Sequence, residues 1–386
     1  MKWSTCRVPM AGKRLLFVVN DPQSFLLFRL ALALEAQKVG FEVSIATGPG
    51  VGAERIIRHG LPHYPLPMTS AGTRPLKDLQ TLLAIGRLFR QLRPDLVHLV
   101  TTKPVIYGGL MARLTRVPAM VSAIAGLGFL FTRERRSLTR WLVERLYPLA
   151  LHHPNSTVIV QNESDRAVLD GLGALPGGEA VLMPGSGVSL DEFVATPMPA
   201  GHPIVVLPGR MTSDKGVGEF VEAARQLQRR GVEARFVLVG DHKSENPSAI
   251  PQRTLERWVN EGVVEWWGHQ PDMPSVMQQS TLVVLPSYRE GMSKALLEGL
   301  ATGRPIVTTH APGCRETVED GWNGLIVKPG DVDALALAIE ALLNDPARCA
   351  LMGQRGREKA EAEFDIQRVV DRHMGVYQAL VAQDAA

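Results

Sequence analysis

The stretch Leu285-Pro-Ser-Tyr-Arg-Glu-Gly-Met-Ser-Lys-Ala-Leu-Leu-Glu298 decides the fold. Residues 281–285 before it form a short apolar run, the pattern of a strand buried on both faces of a parallel sheet. Pro286 and Ser287 end that run, Gly291 permits a sharp turn, and Ser293 is placed to cap a helix over 294–301. Glu290 falls in the loop and Glu298 about two turns into the helix. If helical throughout, the eight-residue interval spans roughly 12 Å. Between the carboxylates lie the unbonded N–H groups of a first helical turn, which attract anions. An anion site between two hydroxyl acceptors suits a nucleotide sugar: diphosphate, sugar and ribose.

The chain has 386 residues, more than one typical domain holds, and its 45% apolar content is that of a globular protein with a full core. A net charge of +3 and no recognisable nucleic-acid module argue against a dedicated nucleic-acid binder. Cys6, Cys314 and Cys349 are too widely spaced for a metal or redox motif and suit a reducing cytoplasm. No apolar run reaches the roughly 20 residues of a membrane span.

Strand and helix patterns alternate along the whole chain. Residues 14–20, 25–39 and 42–47 read as strand, helix and strand, a βαβ unit. Further strands fall at 95–100, 119–124, 157–160 and 180–183, with helices at 76–92, 107–114, 136–150 and 165–171. Residues 184–203, rich in Pro and Gly, interrupt the pattern, which restarts with a strand at 204–207. The expected architecture is α/β, two doubly wound domains facing a central cleft. Its parts are a loose extension (1–12), a first domain (13–190), a linker (191–203), a second domain (204–362) and a C-terminal helix (363–386) returning to the first domain.

The second domain opens with Leu207-Pro-Gly-Arg-Met-Thr-Ser-Asp-Lys-Gly216. Gly209 allows a tight turn, and Arg210 and Lys215 fall at the carboxyl edge of the sheet, where open α/β sheets bind ligands. Arg offers phosphate a two-pronged fork and Lys a point charge.

Gly209-Arg210…Lys215-Gly216 followed by Glu290…Glu298 resembles the retaining, nucleotide-sugar-dependent glycosyltransferases of family 4, which have the GT-B fold. Pro184-Gly-Ser-Gly-Val188, Pro312-Gly-Cys-Arg-Glu316 and Gly321-Trp-Asn-Gly-Leu325 extend the likeness over the chain from about residue 13. The resemblance implies that Arg210 and Lys215 bind the donor diphosphate, Glu298 the ribose, and Glu290 the donor sugar, with Gly209 and the backbone of Gly291, Met292 and Ser293 nearby. Glu290, Arg210 and Lys215 are the implied catalytic groups. Asn20-Asp-Pro, His98-Leu-Val-Thr-Thr-Lys-Pro104 and Ile124-Ala-Gly-Leu-Gly-Phe129 look like the bacterial branch that extends sugars on polyprenyl diphosphate. The family's catalytic-site His has no counterpart here, its place being taken by Ala125-Gly126. His98, at a strand end facing the cleft, Lys103 and Gly126 are the acceptor-side candidates.

The resemblance implies transfer of an N-acetylhexosamine from a UDP-sugar to a lipid-linked sugar, without metal or other cofactor. A UDP-sugar 2-epimerase of the same fold and a non-catalytic sugar-nucleotide-binding subunit are the alternatives. Asp331-Val-Asp333 matches a metal motif of another glycosyltransferase fold, but it stands where an Asp caps a helix. An acceptor on a polyprenyl carrier requires a cytoplasmic enzyme lying on the inner face of the membrane. Leu138, Trp141, Leu142, Leu146 and Leu149 share one helical face, with Arg135, Arg136, Arg140 and Arg145 around it. Arg135, Arg136, Arg140 and Trp141 are the candidates for contact with anionic lipid.

Overall fold

The computed structural model describes residues 10–68, 75–127, 138–242 and 248–384. The chain divides into two compact units: residues 1–186 with 368–386, and residues 187–367.

In the first unit the strands are β1 (Arg14–Val19), β2 (Glu42–Thr47), β3 (His63–Pro65), β4 (Leu96–Val100), β5 (Ala119–Ile124), β6 (Ser156–Val160) and β7 (Val181–Leu182). They form one parallel sheet in the order β3-β2-β1-β4-β5-β6-β7. Its helices are α1 (Pro22–Phe28), α2 (Leu30–Lys38), α3 (Ala53–Arg58), α4 (Pro75–Leu92), α5 (Thr102–Thr115), α6 (Leu138–Leu151) and α7 (Glu163–Gly171). β1, β4 and β5 are buried almost throughout, which is why they read as continuous apolar runs.

The second unit carries β8 (Ile204–Pro208), α8 (Val217–Arg229), β9 (Arg235–Val239), α9 (Gln252–Asn260), β10 (Glu265–Gly268), α10 (Met273–Gln279), β11 (Leu282–Leu285), α11 (Lys294–Ala301), β12 (Ile306–Thr309), β13 (Gly324–Val327), α12 (Val332–Leu343) and α13 (Pro346–Lys359). Its parallel sheet runs β10-β9-β8-β11-β12-β13. In both sheets the strand order reverses next to the opening strand, between β1 and β4 and between β8 and β11.

After α13 comes a π-helical turn, Ala360–Phe364, then α14 (Ile366–Asp384), most of which belongs to the first unit. Where the chain enters and leaves the second unit, its two segments bond to each other. Val188 N donates to Phe364 O at 2.9 Å and Ile366 N to Val188 O at 3.0 Å.

Four elements differ from the sequence reading. The helix expected over 25–39 is two helices broken at Arg29, whose backbone leaves helical geometry (φ −134°). Arg29 is 4% exposed and donates to Phe28 O, and helical periodicity does not reveal a charged residue drawn into the core. The short helix α3, the short strand β3 and helix α13 were unread, although Asp345 before Pro346 is a start signal and its side chain does accept from Arg348 N.

His98 also needs correction. It lies in the middle of β4, fully buried, not at a strand end facing a cleft. Its Nδ1 pairs with Tyr377 Oη of α14 at 2.5 Å, and its ring stacks on Phe17 and His373. Burial holds both imidazoles below their ordinary range, helped by the neighbouring Arg29 cation. His98 is part of the seat of α14, unavailable to an acceptor in this structure.

Candidate active site

The reversal between β8 and β11 opens a crevice at the carboxyl edge of the second sheet, the place where open α/β sheets take ligands. The loops that follow these two strands carry Gly209, Arg210 and Lys215 on one side and Glu290 to Ser293 on the other. Lys215 Nζ donates to Glu290 Oε1 at 2.6 Å, so the two are an ion pair across the crevice. Their side chains are 18% and 13% exposed, shielded enough for the charges to matter and open enough to meet a solute. Ser287 Oγ donates to the same Oε1 at 2.7 Å. Arg210, in the same loop as Lys215, is exposed, and its neighbour Gly209 lies against the Lys215 side chain.

Two glycines make this closeness possible. Gly216 has φ +72°, and a Cβ there would lie 2.2 Å from Pro286 O. The β8 and β11 loops therefore touch backbone to backbone. Gly313 has φ +76°, and its Cβ would lie 2.5 Å from Glu290 O. Glu290 N donates to Pro312 O, and Ser293 N to Gly313 O, so the 312–313 turn cradles the Glu290 loop from behind. Glu316 Oε2 in turn accepts from Gly313 N at 2.7 Å.

Helix α11 begins where expected, but Ser293 makes no side-chain capping bond. Its backbone N–H donates to Gly313 O, which ties the start of the helix to the 312–313 turn. Gly291 and Met292 are half-buried at the turn. Glu298 is 7% exposed, and burial pushes its carboxyl up to about 7, with Lys294 opposing the shift and Glu192 adding to it. Lys294 Nζ stands 3.9 Å away, too far for a hydrogen bond. A buried carboxyl with so weak a partner is suited to binding hydroxyl groups, which can donate to it without adding charge.

Several contributors escaped the sequence reading. Asp214 O accepts from Tyr288 N at 2.9 Å and lies 2.9 Å from Ser287 Oγ, which holds the two loops together. Tyr288 Oη donates to Glu219 of α8 at 2.5 Å. Ser287 and Tyr288 lie inside the stretch quoted first, but spacing alone showed only that they end a strand. Asp331 caps α12, accepting from Ala334 N at 3.0 Å, and Asp333 accepts from Gln226 at 2.7 Å. Among the described residues, no group of three or more His, Cys, Asp or Glu is placed to hold a metal ion.

In the first unit, Lys103 stands in the first turn of α5, paired with Asp78 of α4 at 3.2 Å. Tyr107, one turn on, also meets Asp78; burial and that carboxylate raise its phenol well above the usual range. Gly126 lies in the loop after β5 with φ +96°. Arg135 and Arg136 lie outside the described residues. Arg140 pairs with Glu144 at 2.8 Å, and Trp141 is half-exposed with the Arg145 guanidinium over its ring.

Two doubly wound sheets with an ionic crevice at the switch point of the second define the GT-B class of glycosyltransferases. Solved structures agree in fold. Anabaena HepE in complex with UDP superposes with a TM-score of 0.77 at 20% identity, covering 95% of this chain and 100% of that one. The same protein in complex with UDP-glucose gives 0.77 at 18% identity, covering 96% and 99%. Residues 14–162 match the family model described as "Glycosyl transferase 4-like", and residues 202–345 that described as "Glycosyl transferases group 1". The chain belongs to these glycosyltransferases. Similar curated proteins include the N,N'-diacetylbacillosaminyl-diphospho-undecaprenol alpha-1,3-N-acetylgalactosaminyltransferase of Campylobacter jejuni, 26% identical over 81% of this chain and 84% of that protein. The UDP-Gal:alpha-D-GlcNAc-diphosphoundecaprenol alpha-1,3-galactosyltransferase of Escherichia coli is 24% identical over 78% and 80%.

Proposed function

We propose that this glycosyltransferase moves an N-acetylhexosamine, with retention of configuration and without a metal, from a UDP-sugar to a sugar carried on polyprenyl diphosphate. The observation that carries the reading is the Lys215–Glu290 pair, with Arg210 exposed in the same loop as Lys215 and Glu298 buried in the second turn of α11. A donor diphosphate entering the crevice takes Lys215 and Arg210 as counter-ions, and releases Glu290 to accept from the sugar hydroxyls. Glu298 accepts from the ribose. The acceptor hydroxyl attacks on the face the nucleotide leaves: the glycosidic bond forms as the sugar–phosphate bond breaks, and the hydroxyl proton passes to the departing diphosphate. Lys215, Arg210 and the N-terminus of α11 stabilise the charge on the departing diphosphate, the contribution that is often largest in transfer chemistry. Lys103 and Gly126, at the carboxyl edge of the first sheet, are the acceptor-side residues.

Relatives named for diphospho-undecaprenol-linked substrates support the acceptor class, and the complexes of HepE with UDP and UDP-glucose support the donor class. Among the described residues no helix is long and apolar enough to cross a membrane. The proposed enzyme works from the cytoplasm, meeting its carrier at the bilayer surface through α6. Leu138, Trp141, Leu142 and Leu149 of that helix are exposed rather than packed in the core, which supports the contact.

The test is a mass-spectrometric screen of UDP-sugars against synthetic lipid-linked sugars. The expected product is the acceptor plus one N-acetylhexosamine. Conversion of the donor with no acceptor present would favour the epimerase instead, and binding without any turnover the non-catalytic subunit.

A further inference from the structure

Helix α4 packs against α5, and α5 against α6, so the three lie side by side on one face of the first sheet. That is where right-handed crossovers from β3 to β4, β4 to β5 and β5 to β6 must put them. The outward row of α4 reads Leu76, Leu79, Leu83, Arg87, Arg90, at intervals of three and four residues that keep all five on one side of a helix. All five are exposed; Leu76 is 80% exposed. The outward row of α6 reads Leu138, Trp141, Leu142, Arg145, Leu149, also all exposed. Two helices separated by a third thus present the same composition outward, large apolar side chains followed by arginine. Buried positions explain neither row. α4 already has its own inner face of Thr81, Ile85, Leu88 and Phe89.

Charge identifies what such a surface meets. Across α4, α5 and α6 there are seven Lys and Arg against two acids, a net +5 in a protein whose whole net charge is +3. The rest of the chain is therefore slightly acidic, and the excess positive charge sits on the layer that also exposes the leucines. Helices that combine insertable apolar side chains with cations lie in the headgroup region of anionic membranes.

We propose that α4 and α6 form one two-railed docking surface for an anionic bilayer, with α4 the rail that sequence reading did not find. It rests on the reading that the acceptor is membrane-borne. Leu76, Leu79 and Leu83 enter the acyl boundary while Arg87 and Arg90 take lipid phosphates. Two parallel rails fix the roll of the first unit on the membrane, which one helix cannot do. The carboxyl edge that bears Lys103 is thereby held at one orientation to the carrier's diphosphate.

The experiment is co-sedimentation of the full chain with phosphatidylcholine vesicles, with and without phosphatidylglycerol, at low salt. Variants are L76S/L79S/L83S, R87E/R90E and, on the other rail, W141S/R145E, each checked by circular dichroism. All three should bind phosphatidylglycerol vesicles on the order of tenfold or more weakly than the natural chain. Each should keep turnover of a short, water-soluble acceptor while losing it on a long-chain acceptor in vesicles. Full vesicle binding by both α4 variants, with loss in W141S/R145E, would remove α4 and leave the α6 contact standing. No vesicle binding by the natural chain overturns both, while the screen for soluble-acceptor transfer still decides the chemistry. A dimer that L76S/L79S/L83S disperses in light scattering would assign the row to a second copy of this chain and overturn the proposal.

Discussion

The two units share one architecture and use their surfaces in opposite ways. Of the large hydrophobic side chains exposed among the described residues, fourteen belong to the first unit and four to the second. The second unit instead brings Lys215, Glu290 and Ser287 together at one sheet edge, while its other ion pairs, such as Arg235–Glu265 and Arg225–Glu261, lie elsewhere on it. Its glycines bring loop backbones together so that those groups converge. The difference teaches that the doubly wound fold sets where loops gather, while the outward residues of its helices set what the unit meets. Each prediction below should break that contrast or make it sharper.

The largest effect belongs to the crevice. Under the proposed function, Lys215→Ala and Arg210→Ala would each remove a charge-assisted hydrogen bond to the donor phosphate, worth roughly 1.5–3 kcal/mol. Losses in kcat/KM of about ten- to a hundredfold follow. Lys215→Ala should be the worse of the two, because it also removes the ion pair with Glu290. Steady-state kinetics on purified, folded variants decide it; natural turnover in either would take that residue out of the site.

Next come the glycines. Gly216→Ala and Gly313→Ala each force a Cβ into backbone at a positive φ. Both should destabilise the second unit by about 1–3 kcal/mol and lower turnover further by parting the loops. Hydrogen exchange should show the loss in amides of 187–367 and leave the first sheet protected. Equal loss in both units would mean that the contrast is not one of independent cores.

Acid and base should then act on the units with opposite sign. His98 and His373 are neutral when folded, their pKa values pushed below 6.5, to about 3 for His373, by burial first and then by Arg29. The unfolded chain takes up protons from about 6.5 downward, so the first unit loses stability as pH falls below that value. Glu298 titrates near 7 when folded against 4.5 when unfolded, because it is buried. Its folded form binds the extra proton, so this group's contribution is fully present below 4.5 and is lost as pH rises through 7. Exchange rates measured in each unit between pH 5 and 8 should therefore diverge, and Glu298→Gln should flatten the second unit's profile while weakening donor binding.

The smallest effect concerns metal. Asp331→Ala should cost about 1 kcal/mol through its lost cap and leave turnover unchanged. Activity should persist in EDTA. Complete loss there, restored by Mg2+ or Mn2+, would reopen Asp331 and Asp333 as ligands.

The fold was legible because buried parallel strands write themselves as apolar runs; β4, β5, β8 and β11 were read within about a residue at most ends. The crevice was legible in part because its charges sit at fixed distances from strand ends, as Lys215 and Glu290 do. What stayed hidden depends on partners far apart in the chain. Nothing near His98 announces Tyr377, 279 residues on, and nothing near Glu290 announces that Gly313 lies behind it. Arg29 hid for a different reason: a basic residue in a helical pattern is read as solvated, and here it is in the core. Ser293 does stand at the N-cap position, as its spacing showed, but spacing does not show whether its hydroxyl bonds the first turn, and here it makes no such bond.

The stitching of Val188 to Phe364 and Ile366 has a consequence for how the protein is made. The second unit is an insertion in the first, entered and left at one seam. A ribosome therefore delivers nearly all of the first unit, then the whole second unit, and only afterwards α14, which carries Tyr377 and His373 to their places beside His98. The second unit can close its core while the first still waits for its last helix. The part begun first is finished last, and a chain released before residue 368 would hold a complete second unit joined to an unsealed first.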